Sequence, residues 1–381
     1  MTASIWVNTI IWVKKMGITI PNLKTQKRIL RVFPLLALTI LPVLLSFQSG
    51  DAIPYTVNEQ VIASGPNDQE KPSIYGNYVV WQESSGSKSD IYVYDLSGQI
   101  QPNPKNITSD LEGVQTEAEV FGNYVVWQGS SLITGYDIYL YQLPNGPRIK
   151  VTNRTGDETN PAVYSDSSGY KIAWEDKTSG IADSNVYLYD SQTQSTTAIS
   201  TAEGDQMRPK VFGNAVIWED NRFYGELDVF KFVLPNGPEQ WLTPTGSDEE
   251  APSIYASTLV YQTDKLNDFD IWIDGRSDPI FIQGDQLNPD IWGDWLVWQD
   301  DRAFSTRGSD VYAYYLPDGT TAPISTALSN QEFPRIYGNK VVWQDNRNGN
   351  WDVYMATINT SDAVPPTAPS GLSVARLGNS L

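Results

Sequence analysis

Apolar side chains in this chain come in short runs cut by turn-forming residues, and one such phrase returns seven times. Its clearest copy, residues 334–355, reads PRIYGNKVVWQDNRNGNWDVYM. Gly338-Asn339 supplies two residues that tolerate positive φ, as a two-residue hairpin requires. The β-branched and aromatic run Val341-Val342-Trp343 suits a strand. Gly349 and the asparagines around it form the next turn, and Asp352-Val353-Tyr354-Met355 opens a third strand. Apolar residues occupy consecutive rather than alternate positions, which predicts strands covered on both faces.

The copies align by their ends. Second strands close at Trp81, Trp127, Trp174, Trp218, Tyr261, Trp298 and Trp343. Third strands open at Asp90, Asp137, Asn185, Asp228, Asp270, Asp310 and Asp352. A unit of about 44 residues holding several short strands predicts a β-propeller. Six copies carry a candidate outer strand, at 105–108, 149–152, 197–200, 240–243, 279–282 and 322–325. The seventh carries none, but Glu59-Gln60-Val61-Ile62-Ala63 has the outer-strand pattern and precedes the first copy. The expected fold is all-β: a seven-bladed propeller of four-stranded antiparallel blades. Its N-terminal strand completes the last blade, because closure removes exposed strand edges. Two copies depart from the pattern. The third has an insertion at 165–169. The fifth replaces Gly-Asn by Ala256-Ser257 and Trp by Tyr261, so blade five is expected to be the least regular.

Phrases such as IYGNKVVWQDNRNGNWDVY resemble the TolB-like propeller repeats of bacterial and archaeal cell-surface proteins, over residues 55–358. The resemblance implies the fold and is weak for function. TolB itself places an α/β domain before six blades, and this chain lacks that domain, so TolB's envelope role is not carried over.

Three regions are expected: 1–52 as signal peptide or N-terminal anchor, 53–361 as propeller, and 362–381 as a Pro-rich linker with the truncated start of a module. Basic KTQKRILR, apolar VFPLLALTILPVLLSF and small Ser49-Gly50-Asp51-Ala52 follow the order of a secretory signal. The expected location is therefore secreted or cell-surface, with no membrane insertion after cleavage. Pro365-Pro366-Thr367-Ala368-Pro369 and the residues beyond resemble the opening of a fibronectin type III domain.

Charge and composition narrow the chemistry. Lys14, Lys15, Lys24, Lys27, Arg28, Arg31 and the single acid Asp51 precede Ile53. Beyond it stand 20 basic and 44 acidic side chains, a net charge of −24. Such a surface repels phosphate backbones, which disfavours nucleic acid. The chain has no Cys, hence no disulfide framework or thiolate metal site. It has no His, which removes the usual general base and any Ser-His-Asp triad. Carboxylate-pair chemistry stays open.

A second recurring phrase precedes each first strand and contributes one amide or carboxylate per copy. These are Gln69, Gln115, Glu158, Gln206, Glu249, Gln286 and Gln331. As a function, they would ring one channel mouth and bind a cation, a sugar or a peptide. As structure, each would bond loop backbone groups otherwise unpaired. Sevenfold repetition favours the structural reading, since a site usually breaks symmetry. The turns Asp220-x-Arg222, Asp300-x-Arg302 and Asp345-x-Arg347 are expected to be exposed pairs worth under ~1 kcal/mol each. No cofactor is expected. Calcium at the oxygen-rich turn 345–352 is the weaker reading, because the ligand spacing of an EF-hand loop is missing. Aromatic stripes are expected in the core, with Trp292, Trp295 and Trp351, beside turns, as exceptions.

The expected function is a non-catalytic extracellular binding or adhesion module, monomeric, taking a glycan or protein ligand at the channel mouth. The alternative is a carbohydrate-active enzyme, a polysaccharide lyase or glycosidase, using carboxylates or Tyr at that mouth. A third reading is a scaffold for downstream domains. One asymmetric cluster of acids, Arg and Tyr at a mouth would be the mark of a site.

Overall fold

A computed structural model describes residues 55–131, 135–178, 183–223, 225–276, 279–280 and 283–360. The expectations for 1–52 and 362–381 lie outside the described residues. Among those described, no helix is long and apolar enough to cross a membrane.

Seven antiparallel sheets follow one another in chain order. Blade one is typical: an inner strand Asp68–Tyr75, then Tyr78–Ser85, Lys88–Asp95 and an outer Lys105–Asn106. Gly76-Asn77 makes the first hairpin, with Gly76 at φ +62, where an L side chain is disfavoured. Blade seven takes its inner three strands from Gln331–Tyr337, Lys340–Asp345 and Asp352–Thr360. Its fourth is Tyr55–Ala63, antiparallel to Asp352–Thr360 with Tyr55 opposite Thr360 and Val61 opposite Tyr354. The ring closes by pairing the two ends of the described chain, as the unpartnered outer-strand pattern predicts.

Blade five is the irregular one. It has three strands, Glu249–Tyr255, Thr258–Thr263 and Asp270–Ile273, and a single bridge from Ile280 to Ile271. Phe281 and Ile282, the rest of its expected outer strand, lie outside the described residues. The insertion in blade three lengthens its inner hairpin, Gly156–Asp166 with Gly169–Thr178.

The core is a ring of seven interfaces. Each hydrophobic cluster draws on two neighbouring blades; one joins Val126, Ile138 and Leu140 of blade two to Val163, Ile172 and Trp174 of blade three. That is why both faces of each middle strand are apolar. The second strands run two to four residues past the expected ends, and their six tryptophans lie within them at 2 % exposure or less, with Tyr261 in that place in blade five at 7 %. Each indole stacks on the aromatic ring of the neighbouring third strand, such as Trp81 on Tyr92, with centroids 5.6 to 6.2 Å apart. Stacking at this offset is favourable beyond the area buried.

The Asp-x-Arg turns differ from expectation. Asp220, Asp300 and Asp345 are fully buried, not exposed. Each accepts the indole N–H of the preceding Trp, at 2.8 to 3.0 Å, and two side-chain N–H groups of the Arg two residues on. The guanidinium lies over a third-strand ring, 3.9 Å from the Tyr312 centroid in blade six and 4.2 Å from Tyr354 in blade seven. The consecutive-apolar pattern hides this because it places the turn at the strand's end, where an acid reads as solvated.

Candidate functional site

One cavity of about 500 Å3 lies at the centre, lined by the inner strands of the blades. It is built from repeat positions with different tasks. Within the first three residues of each inner strand stands the amide or carboxylate singled out from sequence, followed two residues later by a left-handed residue, then usually by proline. An aromatic residue ends the run.

The seven singled-out residues are all at 1 % exposure or less, and none is among the cavity lining. They clasp one blade to the next. The backbone N–H of Gln69 donates to Trp351 of blade seven at 2.8 Å, while Asp68 accepts the N–H of Trp351 at 3.0 Å. Gln206 with Ser184, Glu249 with Leu227, Gln286 with Phe269 and Gln331 with Ser309 repeat the backbone bond. Side-chain amides of Gln69, Gln206, Gln286 and Gln331 donate back to the carbonyls of Asn67, Gly204, Gly284 and Ser329. Gln115 does so to Glu112 and also accepts the Trp127 indole N–H at 2.9 Å. In blade five, Glu249 instead accepts the hydroxyls of Thr245 and Thr263. Among the described residues, no hydrogen bond of ordinary geometry reaches either carboxylate oxygen of Glu158. Burial pushes its pKa up to about 7, with Asp176 and Asp137 adding to the rise and Thr152 and Arg154 opposing it.

Two residues further on, the chain turns into the left-handed region once per blade. Lys71, Glu117, Asn160, Arg208, Ala251, Asn288 and Phe333 have φ between +46° and +53°. Each stands at a register shift of the inner hairpin, as between Glu70 and Ser73 in blade one. The conformation costs about 1–2 kcal/mol for a residue with a Cβ. At six interfaces the freed N–H finds an acceptor, the Gln or Glu after the buried aromatic of the preceding blade's second strand: Lys71 donates to Gln344 at 3.0 Å and Ala251 to Glu219 at 2.8 Å.

The far end is shut by rings. One aromatic per blade, from Tyr75 to Tyr337, forms a closed circle with neighbouring centroids 4.3 to 5.2 Å apart. Trp292 also reaches Tyr75, Phe121 and Phe212, at 5.5, 6.0 and 6.4 Å. An indole touching rings of non-adjacent blades must fill the middle of the circle, so the channel is a blind well floored by aromatics. Burial raises the Tyr75 phenol, its neighbour Tyr337 adding to the shift, so this phenol is uncharged at neutral pH. Trp295 stays a local packing residue, 4.8 Å from Tyr315.

The walls are polar and asymmetric. Nine charged residues line them, five acidic and four basic, in a chain whose surface is strongly acidic. Lys71 pairs with Glu117, Lys210 with Glu119 at 2.5 Å, and Arg208 with Glu219 at 2.6 Å. Burial pushes Glu219 up to about 7, against the pull of Arg208. Asp290 is held by the Ser253 hydroxyl at 2.8 Å and the Ile336 N–H at 2.9 Å, and burial raises its pKa. Among the described residues, no group of three or more His, Cys, Asp or Glu is arranged to hold a metal ion. In the turn 345–352, both oxygens of Asp345 are engaged by Trp343 and Arg347, and Asp352 accepts from Asn348.

Sequence reasoning found the repeated residues and missed the variable ones beside them. The left-handed position carries Lys, Glu, Asn, Arg, Ala, Asn and Phe in turn, inside an otherwise constant phrase. Chemical variation at one repeat position is the signal that marks the lining.

No family model matches the chain, and no curated protein matches it. Solved structures do. Oligogalacturonate lyase from Vibrio parahaemolyticus superposes with a TM-score of 0.60 at 10 % identity, covering 81 % of this chain and 98 % of that one. The β-propeller domain of the Trilobed protease from Pyrococcus furiosus, described as an open velcro topology, gives 0.59 at 10 % identity, covering 78 % and 99 %. An oligogalacturonate lyase in complex with manganese gives 0.58 at 12 % identity, covering 82 % and 98 %. At these identities the likeness is one of fold.

Proposed function

We propose that this protein is an exported binding propeller whose ligand seat is the blind central well. The observation that carries the reading is the broken symmetry of the wall. The scaffold repeats seven times, yet the positions facing the well differ in charge and size from blade to blade, which a purely structural ring does not need. An aromatic floor beneath ion-paired walls supplies apolar area and fixed polar groups together, as small-ligand sites do. The signal-like N-terminal segment supports a secreted or surface location. The fold supports a monomer, since the last blade takes its fourth strand from the same chain.

The test is a ligand screen on the full chain, with glycans and peptides, read by tryptophan fluorescence. A ligand of the well should bind one to one and lose at least ~10-fold in affinity in Ala251→Phe, which narrows the well with the residue blade seven already carries at that place. A ligand whose affinity ignores that change sits elsewhere, and the reading falls with it.

A second reading has one observation in its favour. Burial pushes Glu219 up to about 7 beside a guanidinium, in the range a general acid or base needs. With lyases among the fold neighbours, a carbohydrate-active enzyme is the enzymatic form of the same site. Incubation with a panel of polysaccharides, followed by chromatography for new reducing ends or unsaturated sugars, separates the two. Product formation that is lost in Glu219→Gln would replace the binding reading.

A further inference from the structure

We infer that the well receives a short zwitterionic chain, a free peptide of two or three residues, with its carboxylate on Arg335 and its ammonium group at Glu250. The inference rests on the reading of the well as the ligand seat and assigns its chemistry.

The argument starts from which wall charges are already answered. Six of the nine charged lining residues form three ion pairs within the wall. Three are left. Asp290 has a hydroxyl and a backbone N–H on its two oxygens, so its charge is solvated by the protein itself. Arg335 is different. Among the described residues its guanidinium has no carboxylate within ion-pair distance, and its one hydrogen bond goes to the carbonyl of the adjoining Pro334. A guanidinium presents five donors in a fork shaped for a carboxylate. The Asp290 carboxylate is close enough to feel its charge but is committed to other donors. Glu250 is the converse: an acid with one side-chain amide on it, from Gln262 at 3.1 Å, and, among the described residues, no cation within ion-pair distance. Burial raises its pKa, with Arg208 near enough to oppose the shift only in part. One uncommitted cation and one uncommitted anion in the same cavity call for a ligand carrying both signs.

The separation sets the length. Glu250 occupies the repeat position that Glu332 holds in blade seven, and Glu332 precedes Arg335 by three residues on one strand. At about 3.3 Å per residue the strand-direction part of the separation is roughly 10 Å, less what the bulge takes up, and because the two residues stand two blades apart this is a lower bound on the reach the ligand needs. An extended peptide advances about 3.3–3.6 Å per residue, so the terminal charges of a di- or tripeptide span roughly 7–10 Å. An α-amino acid is too short to reach both groups. Arg335 lies two residues before Tyr337 of the floor, so the C-terminal side chain would rest on the aromatic rings. The cavity of about 500 Å3 accommodates a molecule of that size. Asn160 and Asn288 donate their side-chain N–H groups to Glu175 and Gln299, which leaves their amide oxygens for peptide N–H groups.

Isothermal titration calorimetry on the full chain tests this with trialanine, N-acetyl-trialanine and trialanine amide. Trialanine should bind one to one, and each blocked form should bind at least ~10-fold more weakly, the loss of one charge-assisted contact. Arg335→Gln should erase the difference between trialanine and its amide, and Glu250→Gln the difference between trialanine and its acetyl form. The blocked peptides are compared on the native chain, so the test does not depend on either variant folding. Equal binding of free and blocked peptides overturns the inference. Benzoate, benzylamine and glucose run alongside. Binding of any of these, competing with nothing peptidic, overturns the peptide assignment and leaves the well as a site. No heat from any probe overturns both.

Discussion

Glu158 shows how one residue can break a repeat without breaking the fold. Five of the seven clasp positions carry glutamine, whose amide donates to a loop carbonyl; a glutamate cannot do that. Its carboxyl is fully buried with a pKa near 7 in the fold, against about 4.5 in the unfolded chain. A raised acid binds its proton more tightly when folded. Its contribution is therefore most favourable below pH 4.5, is lost as pH rises from 4.5 to 7, and stays lost above. Glu158→Gln should stabilise the propeller at pH 8 by on the order of 2–3 kcal/mol, and far less at pH 5. Urea unfolding at the two pH values checks this, and an equal gain at both would remove the carboxyl as the cause. Much of this layer was legible in the sequence. The repeat exposed the seven residues, and repetition itself pointed to a structural task. What the sequence could not give was the direction in which they point. A register shift and a left-handed residue turn the clasp into the blade interface and the next position but one into the well, and no local propensity of Lys, Glu, Arg or Phe announces that conformation.

At the level of the strand and its turn, the Asp-x-Arg corners carry more than their composition suggests. In blade seven, Arg347 binds Asp345 through Nε and Nη2, the Ser325 hydroxyl at 3.0 Å, and Glu59 of the closing strand at 3.1 Å, while stacking on Tyr354. It ties the end of the second strand to blade six and to the chain's first strand at once. Asp345 is fully buried and also anchors the Trp343 indole. Arg347→Met keeps the aliphatic packing but leaves a buried carboxylate without its counter-ion, a loss of about 3 kcal/mol or more. Arg347→Lys should recover little of it, because an ammonium cannot make the two-pronged contact or the flat stack. Chemical denaturation of the two variants measures both; full rescue by lysine would reduce the corner to a point charge. Blade three builds the same corner differently. Arg154 comes from the loop before it to meet Asp176 at 2.9 Å and lies over Tyr187. Sequence spacing finds the corner where Arg follows Asp by two, and misses it where the partner arrives from another loop.

For the molecule as a whole, the question is what holds a ring shut when its core is divided into seven separate interfaces. The first strand pairs with the last from Tyr55 to Val61 and again at Ala63, and Ile62, at the register shift between them, enters the cluster that joins blade seven to Ile74, Val79 and Trp81 of blade one. Losing that strand therefore exposes the edge of Asp352–Thr360 and weakens the neighbouring interface together. Another outer strand, such as Ser195–Ser200, also sends a residue, Ile199, into the next interface, but the chain runs directly into it from Asn185–Asp190, so it stays tethered to its blade when its pairing is lost. Adjacent residues of an edge strand alternate between ladder donors and outward N–H groups, so two consecutive prolines must remove at least one ladder bond. Val57→Pro with Asn58→Pro should thus cost about 3 kcal/mol from the ladder and more from the interface, lowering Tm by at least ~5 °C. The same doublet at Thr196 and Thr197 should cost less, because that strand is held to its blade by the chain from Asn185–Asp190, whereas pairing alone holds Tyr55–Ala63 to Asp352–Thr360. Hydrogen exchange gives the sharper reading: the closing-strand doublet should lower protection at Val79 and Val80 of blade one as well as at Tyr354 and Met355, because the break lies between them. If the two doublets shift Tm equally and leave blade one protected, the strand from the chain's beginning is one more edge, and the blades hold the circle by packing alone.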